Sequence, residues 1–155
     1  MIPSDPESRF DLFLPLTDGN EGAAHLLVLV GELVRAADDI ADDEADDRRE
    51  AMARVLTLAL VTIPQNPFYD ANREHLQELL GAMVALWQVS NRFHRADRAR
   101  QTFGFVLRES PEVFMLHVCA LCRGWHAAAG IYEEIWAMTH GDRTETVATW
   151  AEEAA

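Results

Sequence analysis

Between Asp38 and Glu50 eight of thirteen residues carry a carboxylate: Asp38, Asp39, Asp42, Asp43, Glu44, Asp46, Asp47 and Glu50. Carboxylates at this density repel one another, and a hard divalent cation with oxygen ligands relieves the repulsion. Asp38 and Asp42 stand one helical turn apart, a spacing that lets both reach one Mg²⁺ or Mn²⁺ ion while its other positions go to water and substrate phosphate. Asp39 is turned roughly 100° from that face and is better placed to orient Arg35 or a neighbouring ligand. The competing reading is a solvated polar face that runs into an acidic loop.

A second constellation is basic: Arg92, His94, Arg95, Arg98, Arg100 and Arg108. Guanidinium forks take phosphate oxygens in pairs. An arginine-bearing helix set against Asp38 and Asp42 supplies both halves of a diphosphate site, with Arg35, Arg92, Arg95 and Arg98 as the phosphate-binding candidates. The same charges suit mutual neutralisation with the acidic run. Trp87 and Asn91, with His25 and Glu32, are the candidates for lining the pocket.

Other groups fit chemistry less well. On one continuous helix Cys119, Cys122, His126 and Glu133 share a side, and thiolate with imidazole is a zinc donor set. Ligands following one another along a straight helix seldom surround a tetrahedral ion, and buried, inert cysteines are the simpler reading. His117 falls on the apolar stripe as a core histidine. His25, Glu32 and Asp39 recur every seven residues, either to place a base or extra ligand or, as preferred here, to form a polar seam against another helix. No nucleophile elbow or Gly-rich phosphate loop is present, so no side chain is assigned a catalytic role.

Helices must position these groups. Asp18-Gly19-Asn20-Glu21 reads as a turn and helix start, and apolar residues at Leu26, Val30, Leu33, Ala37 and Ala41 predict a first long helix over about 21–43, apolar nearly all round in its first half. A second helix over about 47–61 is expected to stop at Ile63-Pro64-Gln65-Asn66-Pro67, with Asn66-Pro67-Phe68-Tyr69 folding over as a turn. A third covers about 70–94, with Leu76, Leu79, Leu80, Met83 and Trp87 on one face and Ser90 and Asn91 beside them. An arginine-rich helix follows over about 96–109. Ser110 reads as the N-cap of a fifth helix reaching about Thr139, bent at Gly124 or Gly130, and a short helix spans about 143–153. No alternating run is long enough for a sheet. The expected fold is all-α: one domain over 1–155, a helical bundle of five or six helices, with a leader at 1–20 packing on it.

Composition limits function. The 155 residues carry 26 acidic and 13 basic side chains, a formal charge of −13, and that field repels nucleic acid and anionic membranes. Every basic residue is arginine, which excludes Schiff-base lysines and the lysine-bearing phosphate loop. Apolar runs such as Leu26 to Val30 fall far short of the roughly 20 residues of a membrane span. Met1 to Phe10 lacks the basic and apolar regions of a signal peptide, and two cysteines three apart suit a reducing compartment. A cytoplasmic location is expected.

Val34-Arg35-Ala36-Ala37-Asp38-Asp39-Ile40-Ala41-Asp42-Asp43-Glu44 resembles the first aspartate-rich motif of squalene and phytoene synthases and the wider class I isoprenoid synthases, in which an arginine precedes DDxxD at the end of a long inner helix. The resemblance covers about a dozen residues and implies an isoprenoid-synthase-like core. It further implies that Asp38 and Asp42 hold Mg²⁺ against an allylic diphosphate, with Asp39 in support. The second acidic motif of that family has no counterpart downstream. A wider set also resembles small phage-encoded helical proteins of unassigned function, which implies residence in a host cytoplasm. That set is Asp18-Gly19-Asn20, the DDxxD segment, Pro64 to Tyr69, Trp87 with Asn91, and Phe105 to Arg108.

Three functions compete. The first is Mg²⁺-dependent binding or turnover of a small molecule bearing a diphosphate. The second is an all-α nucleoside triphosphate pyrophosphohydrolase, whose ExxE and ExxD pattern is met only imperfectly by Glu74 with Glu78 and by Glu32 with Asp38. The third is a non-catalytic interaction or assembly protein, for which four tryptophans and opposed charge patches suit a homo-oligomer interface.

Overall fold

The computed structural model describes residues 5–41, 45–140 and 146–152. All regular structure among them is helical. Helix α1 (Pro6–Phe13) lies within the expected leader; Asp5 caps it by accepting from the Ser8 amide at 2.8 Å. The turn at Asp18-Gly19 uses positive φ angles of 57° and 75°. Asn20 Oδ1 then accepts from the Ala23 amide at 3.0 Å, opening α2 (Glu21–Ala41). Ala23, Ala24 and Leu26 to Val30 are all buried, so this half of α2 is the axis of the molecule.

The second predicted helix does not stop at Pro64. Helix α3 (Arg48–Thr57), capped by Asp47, passes into a π turn (Leu58–Thr62) and then α4 (Ile63–Gln65). In regular α geometry the Pro64 ring would collide with the carbonyl four residues earlier; the wider turn, closed by the Ile63 amide on the Leu58 carbonyl, lets the chain continue. Asn66 ends it. Its Oδ1 accepts from Phe68 and Tyr69 amides at 2.9 and 3.0 Å, starting α5 (Pro67–Ala71), while Nδ2 donates to the Gly22 carbonyl at 3.0 Å and fastens α5 to α2.

Helix α6 (Arg73–His94) and α7 (Arg98–Leu107) cross closely at Gly104. A Cβ there would stand 2.9 Å from Phe93 Cβ and 3.0 Å from the Trp150 ring. Ser90, a buried hydroxyl, donates to the Gly104 carbonyl at 2.8 Å.

The predicted fifth helix is three: α8 (Ser110–Arg123), α9 (Trp125–Gly130) and α10 (Tyr132–His140). Gly124, at φ 84° and ψ 154°, makes the first break, a conformation essentially closed to residues with a Cβ. Ser110 is the first residue of α8 and not its cap, since Glu109 holds the cap position. A final helix, α11 (Val147–Glu152), docks Trp150 against α7.

The expected five or six helices are therefore too few: Gly124 and the residue after Gly130 divide the predicted fifth helix, the π turn divides the second, and α1 and α5 stand where a leader and a turn are expected. The core gathers Leu26, Leu76, Phe114, Val118 and Ile135, all fully buried; burying each such side chain stabilises the fold by about 1.5–3 kcal/mol. No helix among the described residues is long and apolar enough to cross a membrane.

A candidate ligand cavity and the placement of the polar residues

Helices α2 and α6 are tied together through α5 and α8. Between them lies a cavity of about 910 Å³. Val30, Leu33, Val34, Ala37, Asp38 and Ala41 of α2 form one wall, and Leu80, Met83, Val84, Trp87, Asn91 and His94 of α6 face them. Both sets step by three or four residues, so each wall is one stripe of a helix. Val30 to Ala41 spans roughly 16 Å at 1.5 Å per residue, which makes the space elongated. Ala59 of the π turn, Ile63 and Tyr69 close one side; Arg108, Ser110 and Trp150 contribute to another. A space of this volume falls in the range of small-molecule sites.

The walls are mainly aliphatic and aromatic, with a few polar groups. Ser90 is occupied with Gly104. His94 stacks on Trp150, ring centroids 4.2 Å apart, and its Nε2–H donates to the Trp150 carbonyl. Asp38, Asn91 and Arg108 also reach the cavity, the last with its guanidinium 5.6 Å from the centre of the Trp150 ring. A site of this make-up takes an apolar body and meets a compact polar group at few points.

The sequence candidates divide accordingly. Asp38, Trp87 and Asn91 come together on the cavity wall. Asp39 is half-buried on the next face of α2, and Asp42 lies outside the described residues. Arg35, Arg92, Arg95 and Arg98 are exposed and absent from the lining. Arg92 follows the Ser90–Asn91 face by one to two residues and so turns to solvent, Arg95 sits past the end of α6, and Arg98 donates to the Val147 carbonyl at 3.2 Å. Arg108, in the same basic run, is the arginine that lines the cavity; nothing in spacing alone separates it from the others.

His25 and Glu32 line a different, shallower concavity of about 530 Å³ between α1 and α2. Glu32 is buried between Arg9 of α1 and Arg54 of α3, pairing with both. Of the seven-residue repeat, Glu32 makes a polar seam, while His25 is exposed and Asp39 half-buried.

The break at Gly124 also separates the zinc candidates. Cys119 is buried, Cys122 half-buried and His126 exposed on α9. Burial pushes the Cys119 thiol up to about 11, with Cys122 adding to the effect, and burial and then the Asp18 carboxylate push Cys122 up as well. His117 is pushed down by burial and then by His75, and packs edge-on to Trp125. The convergent metal-ligating set among the described residues is instead Glu109, Glu112 and His140. Its detectable sequence signal was the three-residue step from Glu109 to Glu112; His140, twenty-eight residues further on, gave none.

No family model, curated protein or solved structure matches this chain.

Proposed function

We propose that this protein binds an elongated, largely apolar small molecule in the cavity between α2 and α6, with its polar head group met by Asp38, Asn91 and Arg108. One observation carries the reading: a space of about 910 Å³ walled by two apolar helix stripes and relieved by few polar side chains. Trp87 and Trp150 give the site its own optical reporters.

A second reading adds a cation. Asp38 and Arg108 share one cavity, so an anionic head could be met by the guanidinium directly and by the carboxylate through Mg²⁺ or Mn²⁺, as a DDxxD helix of isoprenoid-synthase type would do. This reading asks Asp42 to be the second ligand and leaves Arg35, Arg92, Arg95 and Arg98 outside the phosphate site.

Titration of the full chain with farnesol, palmitate and farnesyl diphosphate, each with and without Mg²⁺ and followed by tryptophan fluorescence, tests both. Saturable quenching by farnesol or palmitate supports the apolar reading. Farnesyl diphosphate binding that requires Mg²⁺ and vanishes in Asp38→Asn establishes the second. No saturable response to any of the three overturns both.

A further inference from the structure

The segment from the end of α7 into the first turn of α8 faces two ways. Arg108, Ser110 and Pro111 look into the cavity, while Glu109 and Glu112 meet His140 at the end of α10. His140 Nε2 stands 2.6 Å from Glu112 Oε1 and 3.5 Å from Glu109 Oε2. The three donor atoms lie within 4.8 Å of one another.

Burial distinguishes this group from a surface patch of acids. Glu112 is 4% exposed, and the side chains of His140 and Glu109 are 10% and 26% exposed. Glu112 is also fixed in orientation: Tyr132 Oη donates to its Oε2 at 3.2 Å and Thr139 Oγ1 donates to its Oε1. Hydroxyls that aim a carboxylate in this way are the usual outer support of a metal ligand. Trp136 leans over the His140 ring at 5.4 Å and shields it on one side.

We propose that Glu109, Glu112 and His140 form a binding site for a divalent transition metal ion, Zn²⁺ being the ion that suits it best. Two carboxylates balance the charge of a divalent ion while the imidazole binds neutral. One nitrogen with two oxygens favours zinc over magnesium, which takes oxygen ligands and keeps its waters. Three protein ligands leave a coordination position open. The site is separate from the cavity and independent of Asp38.

The test uses the full chain stripped with a chelator and titrated calorimetrically with ZnCl₂ and, separately, MgCl₂. The expected result is one Zn²⁺ per chain with much weaker Mg²⁺ binding, a loss of about tenfold or more in Zn²⁺ affinity in Glu109→Gln and in His140→Gln, and no change in Asp38→Asn. Glu109→Gln is the informative variant because it alters the most exposed of the three ligands, and circular dichroism confirms that it is folded. Failure of the folded wild type to bind Zn²⁺, or unchanged affinity in folded Glu109→Gln, overturns the site. Substitution by Co²⁺ provides an independent arm: ligand-field bands without thiolate charge transfer support the assignment, whereas thiolate charge transfer transfers the ion to Cys119 and Cys122 and overturns it.

Discussion

Glu32 and Asp38 are acidic residues six positions apart on α2, yet the helix puts them to different uses. Glu32 is buried between Arg9, itself 2% exposed, and Arg54, and it holds α1, α2 and α3 in register. Asp38 is half-buried on the wall of an open cavity. Residue type does not separate a structural carboxylate from a ligand-facing one. What separates them is place: Glu32 is closed in between two guanidinium groups, whereas Asp38 borders the cavity.

The contrast breaks most sharply at Glu32. Glu32→Ala takes the carboxylate from a buried guanidinium and should cost about 3–5 kcal/mol. Asp38→Asn should cost clearly less while weakening the cavity ligand; urea unfolding of the two variants side by side gives the comparison, and equal losses would erase it.

The wall opposite Asp38 depends on the α6–α7 crossing. Gly104→Ala forces a methyl against Phe93 and Trp150 and should cost about 1–3 kcal/mol, read as a fall in melting temperature together with weakened cavity binding. An unchanged melting temperature would mean that the crossing has room for a methyl group.

Gly81 provides the opposite perturbation on the same wall. It lines the cavity, and a Cβ added there meets nothing within 4 Å. Gly81→Ala should raise stability by about 0.5–1 kcal/mol through the helix preference for alanine while narrowing the space and lowering ligand affinity. A rise in both would argue against occupancy of the cavity at that end.

The smallest effect concerns Cys119, away from both carboxylates. With its thiol pushed up to about 11 from 9.0, only about one molecule in a thousand carries the thiolate at pH 8, so iodoacetamide should leave it unmodified in the native chain and label it once urea is added. The folded state holds this proton more tightly than the unfolded state does. The stability gained is therefore complete below pH 9 and lost as pH rises toward about 11. Urea midpoints at pH 8 and pH 10 should differ in that sense, and Cys119→Ser should flatten the difference.

Much of the fold is legible in particular residues. Asp18-Gly19-Asn20 announces the start of α2, and the apolar first half of that helix announces its central place. The step from Leu76 through Met83 to Trp87 locates the face of α6 that meets the cavity, and Asn91 continues it. Features that depend on tertiary approach are not legible. Gly104 is ordinary in sequence and becomes special only because Phe93 and Trp150 come close to it. Pro64 reads as a stop, and a π turn carries the chain past it. Arg108 differs from Arg92, Arg95 and Arg98 through helix phase and the docking of Trp150, and His140 joins Glu112 only because Gly124 breaks the helix and lets α10 return along α8.

One short segment, residues 108–112 at the junction of α7 and α8, contributes to the cavity on one side and to the Glu109–Glu112–His140 group on the other. Thermodynamic reciprocity governs any coupling carried through it. Whatever factor an ion at the carboxylate–imidazole group applies to the affinity of the cavity occupant, the occupant must return to the ion in equal measure.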